Sequence, residues 1–484
     1  MKLLRNRWTA PLLAVIFTVP ISLTYGIHAR FATDDMMNMG RYLSDGLPAI
    51  ASHVLKFFSG YYRPMGGLYY MILYPIYGLD PTPYRIAIHA ILAANVLLAC
   101  WVGRLISRSY LAAFVCAVVT GYHSSFFNLH YDTSVVYDVL CFAFYLAALG
   151  VYLQGRQSTR QPLTWKQSSA VLVLFICALD SKEMAISLPL VIAGIETANA
   201  LRGRNRVAAL AAWFAACRPL LVAMGLVSLA YISGKLIGPG ALGQTSGYVP
   251  VVSLSRWWES STHQFAELLF LTGPLTETGR AICVLGPVAA ALIARRHRAP
   301  VGVLLMLLSL LPVAFIRPIR GGANLYVPLF GFGLFVGCLS VDILSRLTNT
   351  LCRRDRAAIM NLVLFLGSLV YAHAMFTSRS QAGPAWERSH DLTWSMIQQV
   401  SRMRDCGLKS GHRILFLRDP FEGWDMYFIA QLVLRDRKPV ITLGNKLDAP
   451  LRTDEIARLD HVFDVSNGAL RAIKGSCKND EPSP

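Results

Sequence analysis

Long apolar runs constrain this chain more than any other feature. They lack Asp, Glu, Lys and Arg, and each is close to the about 20 residues that cross a bilayer. These runs are Trp8 to Gly26, Ala299 to Ile316, Ala323 to Val341 and Ala357 to Thr377. Only 15% of all residues are charged, against about 25% in soluble domains. The sequence therefore predicts an all-α polytopic membrane protein.

The first apolar run has two interpretations. Basic residues precede it at Lys2, Arg5 and Arg7, as they would in a cleaved signal peptide. The run is long, however, and the residues after it, His28 to Arg30, do not form a convincing small-residue cleavage site. We interpret it as an uncleaved helix.

The basic residues indicate the topology. The formal charge of +18 would suggest nucleic-acid binding in a soluble protein, but here the basic residues lie in short segments between apolar runs. Cytoplasmic loops carry such an excess of Lys and Arg, and an even number of crossings then separates each cluster from the next. The clusters are Lys2 to Arg7, Arg104 to Arg108, Arg156 to Lys166, Arg202 to Arg218, Arg295 to Arg298 and Arg346 to Arg356.

This rule predicts about eleven transmembrane helices, a cytoplasmic N-terminus and an external C-terminal tail. Residues 167–201 must form a hairpin of two short helices whose tip is "DSKE", Asp180 to Glu183. The other predicted spans cover residues 8–27, 84–103, 109–124, 134–153, 218–236 and 279–294, and three more begin near residues 299, 324 and 357.

The predicted domains are a membrane domain at residues 1–376, with a large first outer loop at 28–83, and a small extracytoplasmic α/β domain at 377–484. In the tail, "RILFL" and "PVITLG" are typical of strands, and "WDMYFIAQLVLRD" is typical of a helix. Cys406 and Cys477 also lie in this tail, where a disulfide is compatible with an external location.

Two adjacent carboxylates, Asp34 and Asp35, follow the first span in "FATDDMMNMG". One alternative is a solvated loop or an N-cap for a helix beginning at "MMNMGRYL". The other is catalysis, because a carboxylate can act as a general base toward an acceptor hydroxyl while a second acid orients it or binds a cation.

Charged residues at other outer ends add to this pattern. Arg317 and Arg320 break the positive-inside trend, and an anionic ligand at the outer interface would explain them. The Lys182 and Glu183 side chains lie at the hairpin tip, where ionisable groups are costly unless they are paired or functional. The structural alternative is an ion pair of Lys182 with Glu183 or Asp180.

Histidines and tryptophans give weaker signals. His53, His123 and His130 are more typical of interfacial polar residues than of metal ligands, because no His or Glu follows at the helical spacing of a metal site. Trp257 and Trp258 could stack on a sugar, but interfacial Trp is ordinary in membrane proteins. No Walker A, GxSxG or dinucleotide motif is present. A lipid-borne donor at the outer leaflet therefore fits better than a cytosolic nucleotide sugar.

Taken together, several segments resemble the GT-C superfamily of integral-membrane glycosyltransferases. They are the acidic pair after the first span, "YYRP" at Tyr61 to Pro64, "SKEMAISLPL" from Ser181 and "NLYVPLFGFG" from Asn324. Within this superfamily the sequence is most similar to protein O-mannosyltransferases and to the tetratricopeptide-containing O-mannosyltransferases. No tetratricopeptide array follows in this chain, which weakens any inference that the acceptor is a protein.

The resemblance implies a polyprenyl-phosphate-linked sugar donor and transfer on the extracytoplasmic face. It implies that Asp34 is the catalytic base and that Asp35 is the second acid of the pair. Family members differ in their use of a divalent metal, so metal dependence stays open. The implied lipid-phosphate or donor-binding residues are Arg63, Lys182, Glu183, Arg317, Arg320 and Tyr326, and the acceptor or sugar candidates are His130, Asp132, Trp257 and Trp258.

The sequence therefore predicts an inverting hexosyl- or pentosyltransferase in a membrane, by our interpretation the bacterial inner membrane. Its expected partners are the lipid-linked donor, the bilayer and a lipid, glycan or protein acceptor, with no nucleic acid. The alternatives are a transporter or flippase for a lipid-linked glycan, a glycan ligase or polymerase, and a non-catalytic scaffold.

Overall fold

The structure is a computed structural model. It describes residues 13, 26–54, 57, 63–159, 163–201, 205–237, 241, 248–271, 273–294, 298–449, 451–466 and 468–475. Most of the predicted first span at 8–27 lies outside the described residues, as do Tyr61, Tyr62 and Cys477.

Most of the described chain is helical. Single-turn 3₁₀ helices lie at Ser124–Phe126, Glu183–Ser187, Gly322–Leu325 and Gly444–Lys446. The α-helices are, in chain order, α1 (Thr33–His53), α2 (Pro64–Tyr77), α3 (Pro81–Ser107), α4 (Tyr110–Tyr122), α5 (Asn128–Tyr131), α6 (Val136–Thr159), α7 (Trp165–Leu179), α8 (Leu188–Ala200), α9 (Arg206–Ile237), α10 (Leu254–Leu268), α11 (Glu277–Ile293), α12 (Ala299–Ala314), α13 (Tyr326–Leu347), α14 (Arg353–Ser389), α15 (Asp391–Asp405), α16 (Asp425–Leu434) and α17 (Thr453–Ala457).

A helix occupies every predicted span from residue 84 onward, so these positions are confirmed. Two short helices, α7 and α8, flank the DSKE tip as predicted, and their arrangement as a membrane hairpin stays a prediction. By length and composition, the helices able to cross a membrane are Pro81–Ser107, Val136–Arg156, Arg206–Ile237, Gly322–Leu347 and Arg354–Asp405, with Tyr110–Tyr122 and Ser124–Tyr131 as one further span bent by 50°. The total of eleven crossings stays a prediction.

The chain bends by 50° between α4 and the following short helices. Arg379 of α14 is buried there and donates hydrogen bonds to the carbonyl oxygens of His123 at 2.7 Å and Gly121 at 3.4 Å. Irregular backbone at membrane depth is tolerated only where such groups are satisfied inside the protein. Arg379 therefore stabilises the break.

Glycines allow α12 and α13 to pack closely. A Cβ atom added at Gly302 would lie 2.5 Å from the backbone nitrogen of Phe335, and one added at Gly331 would lie 2.7 Å from that of Met306. Small residues at such crossings let backbones approach and are typical of membrane helix interfaces.

The described strands are β1 (Val249–Pro250) and β2 (Ile316–Arg317), which pair with each other, and, in the tail, β3 (Arg413–Phe416), β4 (Val440–Leu443), β5 (His461–Ser466) and β6 (Ala469–Lys474). The tail strands form one sheet in the order β4-β3-β5-β6. The predicted strands are confirmed as β3 (Arg413–Phe416) and β4 (Val440–Leu443), and the predicted helix is α16. β3 pairs in parallel with both β4 and β5 (His461–Ser466), and β6 (Ala469–Lys474) pairs antiparallel with β5. The sequence analysis did not foresee β5 and β6.

The tail packs against the first outer loop through α16 and α1. Gln431 donates a hydrogen bond to the Ser44 hydroxyl at 2.6 Å, and Gly40 lies directly against the Phe428 ring. The predicted domain boundary at residues 376/377 falls within α14, which continues to Ser389. The division into two domains stays a prediction.

We expect Gly331→Ala to lower the free energy of unfolding by about 1–3 kcal/mol, because its Cβ would force the α12 and α13 backbones apart. Thermal unfolding of the detergent-solubilised protein measures this effect. The control is Gly367→Ala in α14, where a Cβ meets nothing within 4 Å. Equal stability of the two variants would contradict the close packing.

Candidate active site

Asp35 anchors the start of α1. Its side chain is fully buried, and its carboxylate accepts hydrogen bonds from the Ala32 backbone N–H and the Tyr70 hydroxyl, both at 2.9 Å. The bond to Ala32 satisfies the backbone donor of the N-cap residue at the helix start. The predicted N-cap alternative is wrong for both acids, because Ala32 is the N-cap and Asp34 and Asp35 lie in the first turn of α1.

Asp34 differs from its neighbour, because it is accessible to solvent. Its carboxylate forms no hydrogen bond or ion pair with the described residues. Partial desolvation of the carboxylate and the nearby Asp132 raise the pKa of Asp34, while the Lys182 ammonium opposes them. Asp34 is therefore a carboxylate held at a fixed place with its oxygens available to a ligand.

Asp132 joins these residues, and we call Asp34, Asp35 and Asp132 the acidic centre. Burial, followed by the charge of Asp132, raises the pKa of Asp35 above its ordinary value, and the buried Arg85 opposes this. Arg85 is held by the carbonyl oxygens of Ala29 at 3.0 Å and Arg30 at 2.6 Å. The Arg85 guanidinium is thus a buried positive charge close to the acidic centre.

Two ion pairs hold the DSKE tip beside the acidic centre. The Arg63 guanidinium donates to both carboxylate oxygens of Glu183 at 3.1 Å, and the Lys182 ammonium lies 2.8 Å from Asp138. These side chains are 5–18% exposed. The predicted structural alternative, an ion pair at the tip, is thus present. The partners differ from those predicted: Lys182 pairs with Asp138 of α6, and Glu183 pairs with Arg63 at the start of α2.

The Glu183 carboxylate stays ionised throughout the physiological pH range. Burial would raise its pKa, but the Arg63 guanidinium outweighs burial and lowers the pKa of Glu183 to about 2. Arg63 and Glu183 therefore both stay charged, and their ion pair positions the DSKE tip rather than transferring a proton.

The segment carrying Arg317 and Arg320 adjoins this tip. A short ladder of β1 (Val249–Pro250) and β2 (Ile316–Arg317) brings Tyr248 beside it, and the Arg320 guanidinium lies 3.9 Å from the centre of the Tyr248 ring. Tyr248 is also within electrostatic range of Arg63. Arg317 is exposed on β2. The predicted basic residues therefore gather on one side of the molecule.

Residues of α10 that the sequence analysis missed hold this segment in place. Gln264 donates to the Arg320 carbonyl at 3.0 Å, the Glu267 carboxylate accepts from the Gly322 N–H at 2.8 Å, and Arg256 donates to the Ile316 carbonyl. Positions 256, 264 and 267 share one helical face. That spacing was the available signal within "SRWWESSTHQFAE".

The other predicted site residues are engaged by aromatic or polar neighbours. Tyr326 is buried and stacks on Phe142 with ring centres 4.0 Å apart, and His130 is buried beside His89 with ring centres 5.6 Å apart. Trp257 contacts Trp258, whose indole N–H donates to Glu277 at 3.4 Å.

The histidines considered as metal ligands are explained by local contacts. His123 stacks on Phe270 with ring centres 4.0 Å apart, and the Nδ1 atom of His53 lies 2.7 Å from the Ala49 carbonyl oxygen. Within the described residues, no group of three His, Cys, Asp or Glu side chains is placed to hold a metal ion. In the tail, Cys406 is a free, exposed thiol.

The apolar helices define an integral membrane protein. The crystal structure of ArnT from Cupriavidus metallidurans bound to undecaprenyl phosphate has a similar fold, with a TM-score of 0.51 over 90% of this chain and 86% of ArnT. The two sequences are 14% identical, so the likeness concerns the fold alone. No family model matches the chain, and no curated protein is significantly similar to it. Similarity to the O-mannosyltransferase branch stays a prediction.

We expect a double-mutant cycle on Arg63→Gln and Glu183→Gln to give a coupling free energy of about 1–3 kcal/mol, because either single change leaves a buried polar group without its partner. Unfolding of the detergent-solubilised protein at neutral pH measures the coupling. Arg280 and Glu277, an exposed pair 2.7 Å apart, are the matched control, with an expected coupling below about 1 kcal/mol. Similar values for both pairs would refute the anchoring role.

Proposed function

We propose that this protein is a glycosyltransferase that moves a sugar from a polyprenyl-phosphate-linked donor to an acceptor on the extracytoplasmic face of the membrane. The observation that carries the proposal is Asp34, an accessible carboxylate fixed beside Lys182 and a buried second acid. Its support is the fold shared with ArnT, which was crystallised with undecaprenyl phosphate.

In the proposed reaction Asp34 is the general base. The acceptor hydroxyl oxygen attacks the anomeric carbon of the sugar while its proton passes to Asp34. The bond between that carbon and the phosphate oxygen breaks, and the polyprenyl phosphate leaves with the electron pair, so the anomeric configuration inverts. A base is most effective when its pKa approaches the working pH, and the surroundings of Asp34 raise its pKa in that direction.

The leaving phosphate requires fixed positive charge. Arg317 is exposed, and it is joined to Arg320 by a short loop beside the tip. Arg63 and Lys182 are engaged by Glu183 and Asp138, so a phosphate at those cations would share them with a carboxylate. The exposed Arg317 is therefore our first choice for direct phosphate contact, and Arg320, Arg63 and Lys182 supply the surrounding field.

The positive-inside pattern supports a cytoplasmic N-terminus and an external C-terminal tail, and we place the protein in a bacterial inner membrane. With this orientation the isoprenoid chain of the donor stays in the bilayer while its sugar reaches Asp34. The transferred group is a hexosyl or pentosyl unit.

We expect Asp34→Asn to lower sugar transfer by about 10²- to 10⁴-fold, because the amide cannot take the acceptor proton. Radiolabelled sugar transfer from polyprenyl-phosphate donors to endogenous acceptors, in membranes with matched expression, measures this. The control is Asp45→Asn, an exposed carboxylate on the same helix. Equal labelling by wild type and Asp34→Asn would exclude the base and favour the transporter or scaffold alternative.

The pH dependence of sugar transfer should reflect the protonation of Asp34. Transfer should fall as the pH decreases, because protonation removes the base, and the raised pKa of Asp34 makes this fall begin at a higher pH than for an ordinary Asp. Lys182→Met removes a charge that lowers this pKa. The acid limb of kcat/KM should therefore move to higher pH in that variant, and a shift to lower pH would contradict the proposal.

A further inference from the structure

The tail brings its own acidic residues to the acidic centre. α16 and α1 run side by side in the same direction, since Phe428 contacts Gly40 and Gln431 contacts Ser44 one turn later. Their N-terminal ends therefore lie at the same end of the pair. Asp425 begins α16, as Asp34 lies in the first turn of α1.

Charge interactions indicate the same proximity. Burial, followed by the nearby carboxylates of Asp419 and Asp34, raises the pKa of Asp425 to about 6. Asp419 and Asp425 belong to the tail, and Asp34 belongs to the first outer loop. Carboxylates from both parts of the chain therefore lie near one another on one surface.

Asp419 lies at the carboxyl ends of the parallel strands of the tail, the edge at which ligands usually bind. In open α/β sheets, ligands occupy the crevice outside the carboxyl ends of parallel strands. The loop after β3 and the loop after β4 meet at that edge. The Asp419 N–H donates to the Asn445 side-chain oxygen at 3.0 Å, and the Lys446 ammonium donates to the Glu422 carbonyl at 2.7 Å.

One buried group in this edge lacks a partner. Asp419 is 7% exposed, and its Oδ1 atom accepts a hydrogen bond from the Phe421 N–H at 3.0 Å. Its Oδ2 atom is buried and has no hydrogen-bond partner in the described part of the chain. Leaving a buried acceptor unsatisfied costs about 1–3 kcal/mol, which a donating ligand would recover.

An exposed aromatic residue lies next to Asp425 in the sequence. Trp424 is 56% exposed and lies in the loop between β3 and α16, directly before Asp425. An indole ring presents a large apolar face with one polar atom at its edge. Exposed beside carboxylates, it offers a surface for the apolar face of a sugar ring, whose hydroxyl groups can donate hydrogen bonds to those carboxylates.

We propose that Asp419, Trp424 and Asp425 bind a carbohydrate acceptor and present its hydroxyl group to Asp34. We call these three residues the acceptor edge. The acceptor is an uncharged glycan, because the carboxylates would repel an anionic sugar and the neighbouring cations already form contacts within the tail. Arg418 pairs with Asp464 at 3.0 and 3.1 Å, and Lys446 is bound to backbone carbonyls. This inference rests on the proposed function for the role of Asp34.

The test measures glycan binding separately from transfer. Uncharged oligosaccharides prepared from mannan, galactan, glucan and arabinan are titrated into the full-length protein in detergent, and saturation-transfer NMR measures their affinity. We expect Trp424→Ala and Asp425→Asn each to weaken binding at least about tenfold, the factor that 1.4 kcal/mol represents. Trp165→Ala, which removes a 74% exposed tryptophan at the start of α7, should bind as wild type does.

Two further measurements separate a binding role from a folding defect. Trp424→Phe keeps an aromatic face and should restore most of the affinity, and the unfolding temperature of each variant should equal that of wild type. In the transfer assay, Trp424→Ala should raise KM for the glycan acceptor and leave kcat nearly unchanged. A purely structural role would not give this pattern.

The outcomes distinguish this inference from the proposed function. Unchanged affinity in both acceptor-edge variants, or no binding of any oligosaccharide by wild type, would overturn the inference, and transfer could still depend on Asp34. Binding that requires the acceptor edge, in a protein that transfers no sugar, would support the inference and overturn the proposed function.

Discussion

The arrangement of the candidate site depends on the charge pairing at the DSKE tip. Lys182 and Glu183 are largely withdrawn from solvent, and each needs a partner of opposite charge to remain ionised there. Their partners, Asp138 and Arg63, come from α6 and from the residue that precedes α2. The two pairs therefore connect elements that are distant in sequence, and they set the position of a cation relative to Asp34.

Other contacts complete the same surface. α10 holds the segment after α12 through three polar side chains, and the tail packs α16 along α1. The acidic centre, the basic segment with Arg317 and the acceptor edge thus come from separate regions of the chain. Helices carry Asp34, Asp35 and Asp425, and a site residue on such an element holds its geometry better than one on a loop.

Hydrophobic length predicted the positions of the apolar helices from residue 84 onward well, because this signal is local to each segment, whereas the polar helix α10 was missed. The two helices at the tip, β3, β4 and α16 were predicted for the same reason. The number of crossings was less accessible, since α7 and α12 have 15 and 16 residues and are short for a bilayer. The candidate site could be predicted only as a set of residues on one side. The sequence pattern did not show that Asp35 is buried and hydrogen-bonded while Asp34 is accessible. It also did not show that the side chains of Tyr326 and His130 are buried.

The sequence by itself determined that this chain forms apolar helices, where they lie and which charged residues fall between them, because bilayer length and side-chain polarity act within each segment. Only the tertiary structure decided which of those charges are paired. Arg63 could have met any of several carboxylates, and its pairing with Glu183 follows from the contact of the start of α2 with the DSKE tip, where the Met65 N–H donates to the Asp180 carbonyl. The same holds for Asp425, which is brought to Asp34 by the packing of α16 on α1, a contact between residues nearly four hundred positions apart in sequence.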